Sequence, residues 1–397
     1  MAMPQESRPA SQVRWHGAAQ LMGVMRAEPG ITRAAAAQRL GIGTGGAADL
    51  VARLRRSHLL DETPAPAQGR GRPTTVLGPH PDGPLVLAAE LRAGDWRLVR
   101  AGVDGATQLL AEGDHRRLGS ARVISEIGSA ITEACRNGDG RVRAVGMSVA
   151  GTVSDTRLVQ FTTKGWRDTE LSGLTAELPG VPLLLGNDAT LAGLAEARFG
   201  AARDAGTVLH LIIAVGLGGT LVVNGEPVTG AQGAAGEYGH VPFGDPTLEC
   251  PCGATGCWDL HVDGRALARH RGEPEPTDPV GYARELLDRQ PDDPKSRTAF
   301  DAVAAALGRG IGGLVNLHDP DVVTLGGLAP PLRAAAPSAF DTAYRNGLMA
   351  FRKTSAPPIR DGVHGDDAPL AGAVALALDH VTSEAALADW SRRRGDS

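Results

Sequence analysis

Three of the four cysteines of this 397-residue chain, Cys250, Cys252 and Cys257, fall within eight positions, and His240 lies ten residues before the first. They sit in GEYGHVPFGDPTLECPCGATGCWD, residues 236–259. C-x-C-x4-C spacing, with Gly253 and Gly256 permitting a tight loop, brings three thiolates together, and His240 can return as a fourth ligand. Three cysteines and a histidine close a tetrahedron, the mark of structural zinc. Such an ion would order a hydrophilic loop whose own core is too small to hold it. The competing reading is three reduced structural cysteines. A redox role needs a paired thiol near the start of a βαβ unit, which is missing. Cys135, on a predicted helix, reads as a small buried apolar residue.

A second chemistry overlaps the first. Glu237 precedes His240 by three residues and Asp259 follows Cys257 by two. If a metal folds this loop, two carboxylates and a histidine face one space. Carboxylates hold vicinal hydroxyls by charge-assisted hydrogen bonds, so the group suits a sugar. Taken singly, either acid is equally a solvated surface charge.

These loops need a scaffold. From about residue 84, the apolar runs PLVLAAEL, WRLVRAGV, VRAVGMSVAG, VPLLLGND and TVLHLIIAVG alternate with helical segments such as 119–136 and 189–200. Strands alternating with helices predict α/β layers. Two hairpin-like strands followed by helix-linked strands occur from 84 and again from about 207. A duplicated unit of this kind binds small molecules between its lobes. The Pro- and Asp-rich stretch 272–297 reads as a surface excursion.

The first 80 residues are different. They carry ten arginines, no lysine and five acids, a net +5 in a chain of net −5, which leaves −10 for the rest. A basic block on an acidic body points to a polyanionic partner for the front part alone. Three short helices are predicted there: one around Leu21, Val24 and Met25, one capped by Thr32 and ended by Gly41, and one running from Thr44 through DLVARLRRSHLL with Leu50, Val51, Leu54, Leu59 and Leu60 on one stripe. A polar tip and a strand over residues 74–77 then complete a winged helix-turn-helix pattern. Thr44, Arg53, Arg55 and Arg56 are its candidate DNA contacts, together with Arg70 and Arg72 of an extended Arg-Gly-Arg-Pro tip suited to phosphates or a narrow minor groove. The third helix opens Gly45-Gly46-Ala47-Ala48-Asp49, which offers little to bases. No run of about 18 apolar residues and no secretory leader pattern occur, so a cytoplasmic protein without a membrane span is expected.

GAAGEYGH (233–240) followed by CPCGATGCWD (250–259) resembles the ROK family of repressors, open reading frames and sugar kinases, over residues 17 to about 380. The resemblance implies a duplicated actin-like/hexokinase (ribonuclease H-like) fold preceded by a winged helix-turn-helix domain. The corresponding domains are 1–80 and 84–385. The latter has lobes of about 84–190 plus the C-terminal helix and about 190–370, with the zinc loop at 236–259. It also implies zinc on His240, Cys250, Cys252 and Cys257, and a sugar held by Asn187, Asp188, Glu237, His240 and Asp259. Asp188 would be the general base in a kinase member. Gly151 matches the family's Pro-Gly loop near the sugar, with Ala150 in place of proline, and Asp259 stands where members usually have Glu.

Phosphoryl transfer needs loops whose amides cradle phosphate. One such loop survives at 214–220, and Gly326-Gly327 matches the nucleotide end. The first is altered: where kinase members carry Asp-x-Gly-x-Thr, this chain has Glu90-Leu91-Arg92-Ala93-Gly94. The expectation is a sugar-responsive repressor without kinase activity, a homodimer or dimer of dimers on operator DNA. An ATP-dependent sugar kinase is the alternative.

Overall fold

The computed structural model describes residues 10–65, 75–231, 233–289 and 293–394. The N-terminal unit contains α1 (Ala10–Ala27), α2 (Arg33–Leu40), α3 (Thr44–Arg56) and an antiparallel hairpin of β1 (Leu60–Pro64) and β2 (Thr75–Pro79). Thr32 caps α2 by accepting from the Ala35 amide, and Gly41 ends it in the left-handed region, as the sequence signals predict. Arg70 and Arg72 lie outside the described residues.

Lobe I follows with β3 (Leu85–Leu91), β4 (Asp95–Ala101), β5 (Thr107–Asp114), α4 (Ser120–Asn137), β6 (Val142–Val149), the small sheet β7 (Thr152–Ser154), β8 (Arg157–Phe161) and β9 (Trp166–Glu170), then β10 (Leu183–Asn187) and α5 (Asp188–Arg198). Lobe II has β11 (Thr207–Ala214), β12 (Gly216–Val223), β13 (Glu226–Pro227), α6 (Gly264–Arg271), α7 (Pro279–Arg289), α8 (Pro294–His318), β14 (Val322–Gly327), α9 (Ala329–Ala335), α10 (Pro337–Gly347) and β15 (Ile359–Asp361). The chain closes with α11 (Ala368–Val381) and α12 (Glu384–Arg393).

The two main sheets have one topology. Their strand orders are β10-β6-β3-β4-β5 and β13-β12-β11-β14-β15. In each, the first three strands in sequence form an antiparallel meander and the next two add in parallel. That repetition is the duplication expected from the run of strands. Helix α4 buries Val123, Ile127 and Ile131 on one face of the first sheet, and α11 packs Leu370, Val374 and Leu378 against the other. In lobe II, α8 lays Val303, Leu307, Ile311 and Leu314 over Leu209, Leu211 and Ile213. Helix α8 is long and apolar enough to cross a membrane by composition, yet 61% of that window is buried in the lobe core.

Three features differ from the sequence reading. Helix α3 stops at Arg56, where His58 turns left-handed at φ 53° and Leu60 opens β1, so Leu59 and Leu60 lie beyond its stripe. Within the supposed excursion, α7 starts on Pro279, which suits a first helical turn, and puts Ala283 and Leu286 into the lobe II core. Helix α12 leaves the body: its Leu387 and Trp390 join Trp15, Leu21 and Leu54 in the core of the N-terminal unit. Trp390 Nε1 also donates to the Ser57 carbonyl at 2.9 Å.

Candidate functional site

The cysteine loop folds through three short devices. A bridge between Glu249 and Thr255 pinches it, and Gly253 and Gly256 adopt φ of 99° and 71°, which only glycine takes without strain. The Cys250 amide donates to the Ala254 carbonyl at 2.8 Å. The donor atoms of His240, Cys250, Cys252 and Cys257 then lie within 4.8 Å of one another. Cys252 and Cys257 Sγ are 3.7 Å apart, and Cys250 Sγ is 3.8 Å from His240 Nδ1. A tetrahedron with metal–sulfur bonds of about 2.3 Å has edges of about 3.8 Å, so the residues fit a four-coordinate ion. Burial pushes the Cys250 and Cys257 thiols up, so keeping them as thiolates takes a cation among them.

His240 joins this cluster to the cleft. Its Nδ1 faces the thiols, and its Nε2 lies 3.9 Å from Glu237 Oε2. A carboxylate behind a ligating imidazole fixes ring orientation. Glu237 is exposed, and its Oε1 accepts from Thr152 Oγ at 3.0 Å. Glu237 belongs to lobe II and Thr152 to β7 beside lobe I, so this bond crosses the cleft. Sequence reasoning missed Thr152; its one signal was adjacency to Gly151.

Asn187 ends β10 and caps α5, its Oδ1 accepting from the amides of Ala189 at 2.9 Å and Thr190 at 3.2 Å. Its Nδ2 donates to the Gly151 carbonyl at 3.0 Å. Gly151 is sterically required, because a Cβ there would lie 2.5 Å from the Gln160 carbonyl oxygen. Asp188 opens α5. Desolvation in the cleft, with Glu90 and Glu237 nearby, pushes its carboxyl up to about 7.

Asp259 faces elsewhere. It is 7% exposed, with Oδ2 3.5 Å from Arg265 and Oδ1 4.0 Å from Cys250 Sγ. Arg265 also donates from Nε to Asp263 at 2.7 Å, and Asp263 accepts the Gly216 amide at 3.1 Å. The structure thus groups Gly151, Asn187, Asp188, Glu237 and His240, and sets Asp259 behind them in an arginine-paired network. The stretch 214–220 expected as a phosphate loop is instead a tight β11–β12 hairpin, with Gly216 to Thr220 paired to Ala214 to His210, and the Gly216 amide is already taken by Asp263.

The altered first loop is held by ion pairs. Glu90 is buried and meets Arg97 Nε at 2.6 Å, while Arg97 Nη1 reaches Asp367 at 2.6 Å. Burial pushes the Glu90 carboxyl up, and Arg97 opposes that shift. Arg92 folds back onto Asp95 at 2.5 Å.

On the N-terminal unit, Thr44, Gly45, Gly46, Arg55 and Arg56 are exposed. Arg53 turns inward over the Trp15 ring, 5.8 Å from its centroid, and Arg55 pairs with Asp61 at 2.8 Å. Exposed candidates for DNA contact therefore lie at the start and end of α3.

A duplicated α/β body preceded by a unit that fits a winged helix-turn-helix defines the actin-like sugar-kinase fold class. The chain belongs to the ROK family, whose signature matches residues 115–380. It is 29% identical to a glucokinase of Streptomyces coelicolor over 224 residues, covering 52% of this chain and 70% of that protein. It is 27% identical to the xylose repressor of Bacillus subtilis over 182 residues, 46% of this chain and 47% of the repressor. A ROK family transcriptional regulator, a homologue of the E. coli MLC protein, superposes with a TM-score of 0.74 at 19% identity over 96% of this chain and 100% of its own.

Proposed function

We propose that this protein is a sugar-responsive, DNA-binding transcriptional repressor that does not phosphorylate its sugar. The observation that carries this reading is the shared core of α12 with the N-terminal unit. A body that changes shape on binding sugar moves that unit directly, without a flexible linker between them. Fold likeness to a ROK regulator over 96% of the chain supports the same reading. The arginines at the first loop argue against ATP: Arg97 neutralises Glu90 and Arg92 stands at the glycine position of the phosphate turn.

In this reading, His240, Cys250, Cys252 and Cys257 hold a zinc ion. When bound, it supplies a structural crosslink with no open position for chemistry. Glu237 and the Nε2 side of His240 receive sugar hydroxyls, and Asn187 holds the Gly151 loop against the start of α5. Sugar bound between Asp188 and Glu237 bridges the lobes, and only a preference for one lobe arrangement shifts operator affinity. A two-fold dimer presents two winged units to a palindromic site.

The test is to select duplexes from random DNA with the zinc-loaded chain. Glucose, xylose and N-acetylglucosamine are then titrated while affinity is measured by fluorescence anisotropy, beside a Mg-ATP phosphorylation assay. A change of at least about tenfold with one sugar, a coupling near 1.4 kcal/mol, and no phosphoryl transfer are expected. No selected duplex, or none that responds to any sugar, sinks the proposal. One observation favours a kinase instead: a carboxyl near pH 7 is well placed to act as a general base. ATP-dependent phosphorylation abolished by Asp188→Asn would establish that second reading.

A further inference from the structure

The joint between the N-terminal unit and the body contains a group that neither the sugar cleft nor the metal loop uses. His58, just past α3, and His80, just past β2, stack face to face with centroids 4.3 Å apart and planes 12° apart. Arg394, following α12, donates from Nη1 to His58 Nδ1 at 3.0 Å and from Nη2 to the Asp82 carbonyl at 2.8 Å. The Asp82 amide donates to His80 Nδ1 at 3.0 Å. The Arg394 guanidinium also lies over the Trp390 ring, 4.9 Å from its centroid. The stacked rings therefore sit where α3, the β2–β3 turn and the end of α12 meet.

Both Nδ1 atoms are acceptors here. An imidazolium has two N–H groups and no lone pair in its ring plane, so it can accept neither the guanidinium nor the amide proton. Charging either ring breaks one of these bonds and puts a cation against the other ring and Arg394. Asp82 and Asp61 are the facing acids, and Asp61 is shared with Arg55. His58, His80 and Asp82 place donor atoms within 4.8 Å of one another. The rings meet by their faces, however, so their in-plane lone pairs run side by side instead of converging on one ion.

We propose that the stacked pair is a pH-sensitive clasp, holding the N-terminal unit against the body while both rings are neutral and releasing it when they are protonated.

The sign follows from the surroundings. Burial, then His58, lowers the His80 pKa, while Asp82 and Asp61 oppose the shift. The undocked ring titrates near about 6.5. The clasp is therefore at full strength above that pH and weakens as pH falls through the lower docked value. This goes beyond the sugar-regulator reading and stands or falls separately, since it concerns the joint whatever the N-terminal unit binds.

Hydrogen exchange on the full-length zinc-loaded chain, corrected for intrinsic rates and with zinc content measured at each pH, tests it between about pH 8 and pH 5.5. Exchange in segments 57–60 and 384–394 is expected to rise at least about fivefold on acidification, with β11 unchanged as an internal control. In a double variant, His58→Asn with His80→Asn, each amide oxygen replaces Nδ1 as acceptor. Asn also tolerates the left-handed backbone of position 58, where φ is 53°. That variant is expected to keep its protection at both pH values. An acid response equal to the parent's, or a flat response in the parent, overturns the clasp. NMR titration of labelled histidines in the parent chain decides the matter without relying on the variant. Depressed titration coinciding with release supports the clasp, and ordinary titration of both rings overturns it. A second zinc equivalent lost in the double variant also overturns it.

Discussion

Asp188 carries an energetic conflict that a single substitution exposes. Its carboxyl is raised to about 7, so the folded chain binds a proton there that the unfolded chain releases near its ordinary pKa. The folded state is therefore favoured below that ordinary value and loses this contribution as pH rises through about 7. Asp188→Asn removes the cost of charging, so its melting-temperature advantage over the parent is expected to be largest at pH 8 and to shrink steadily as pH falls toward the ordinary carboxyl value of 3.8, by calorimetry. If Asp188 holds a sugar as proposed, affinity for it should fall at the same time by at least about tenfold, since a charge-assisted hydrogen bond contributes about 1.5–3 kcal/mol. A variant less stable than the parent at pH 8 would refute the charge argument. Gly151→Ala is a second case at this scale. Its Cβ meets the Gln160 carbonyl at 2.5 Å, and overpacking of this kind costs about 1–3 kcal/mol, readable in denaturant titrations.

At the scale of elements, the cysteine loop and α12 each need something outside themselves, the loop the proposed metal ion and α12 the N-terminal core. The loop's own buried cluster is Cys250, Cys257 and Leu260, too small to order it. Cys257→Ser, or treatment with a chelator, is expected to take metal content from one ion per chain toward none and to open residues 241–257 to proteolysis, while lobe II keeps its core. Unchanged cleavage after metal loss would show that packing alone suffices. Helix α12 depends on Trp390, buried in the N-terminal core. Trp390→Ala should destabilise that unit by about 3–5 kcal/mol, seen as early unfolding of α1 and α3 by hydrogen exchange.

For the whole molecule, charge placement would govern how the front unit meets DNA in the proposed function. Several of its arginines are committed internally, Arg33 to Glu62, Arg39 to Glu28 and Arg55 to Asp61. The count of ten arginines thus overstates the cations offered to phosphate, and the net +5 of the first 80 residues, which already subtracts these acids, is the fairer measure. If Arg56 contacts one phosphate, Arg56→Ala should flatten the slope of log affinity against log salt by about 0.9 per protomer. An unchanged slope would remove Arg56 from the interface. The bond between Glu237 and Thr152 joins lobe II to β7 of lobe I, so any relative motion of the lobes must strain or break it.

The sequence by itself determined what short-range chemistry controls. Thr32 and Gly41 bound α2, three cysteines and a histidine share a loop, Asn187-Asp188 begins a helix, and the doubled order of strands is written in the alternation of apolar runs. Each of these depends on residues a few positions apart, or on a spacing that one loop satisfies. Only the tertiary structure decided which polar groups meet: Arg97 with Asp367, Arg265 with Asp259, and the Trp390 indole with the Ser57 carbonyl 333 positions away. With 40 basic and 45 acidic residues in the chain, no local pattern selects a partner. Packing does, by bringing segments from elsewhere in the chain within hydrogen-bond reach. Asp259 illustrates the difference, for the motif that contains it was legible while the direction of its carboxylate depended on Arg265, a residue of the next helix.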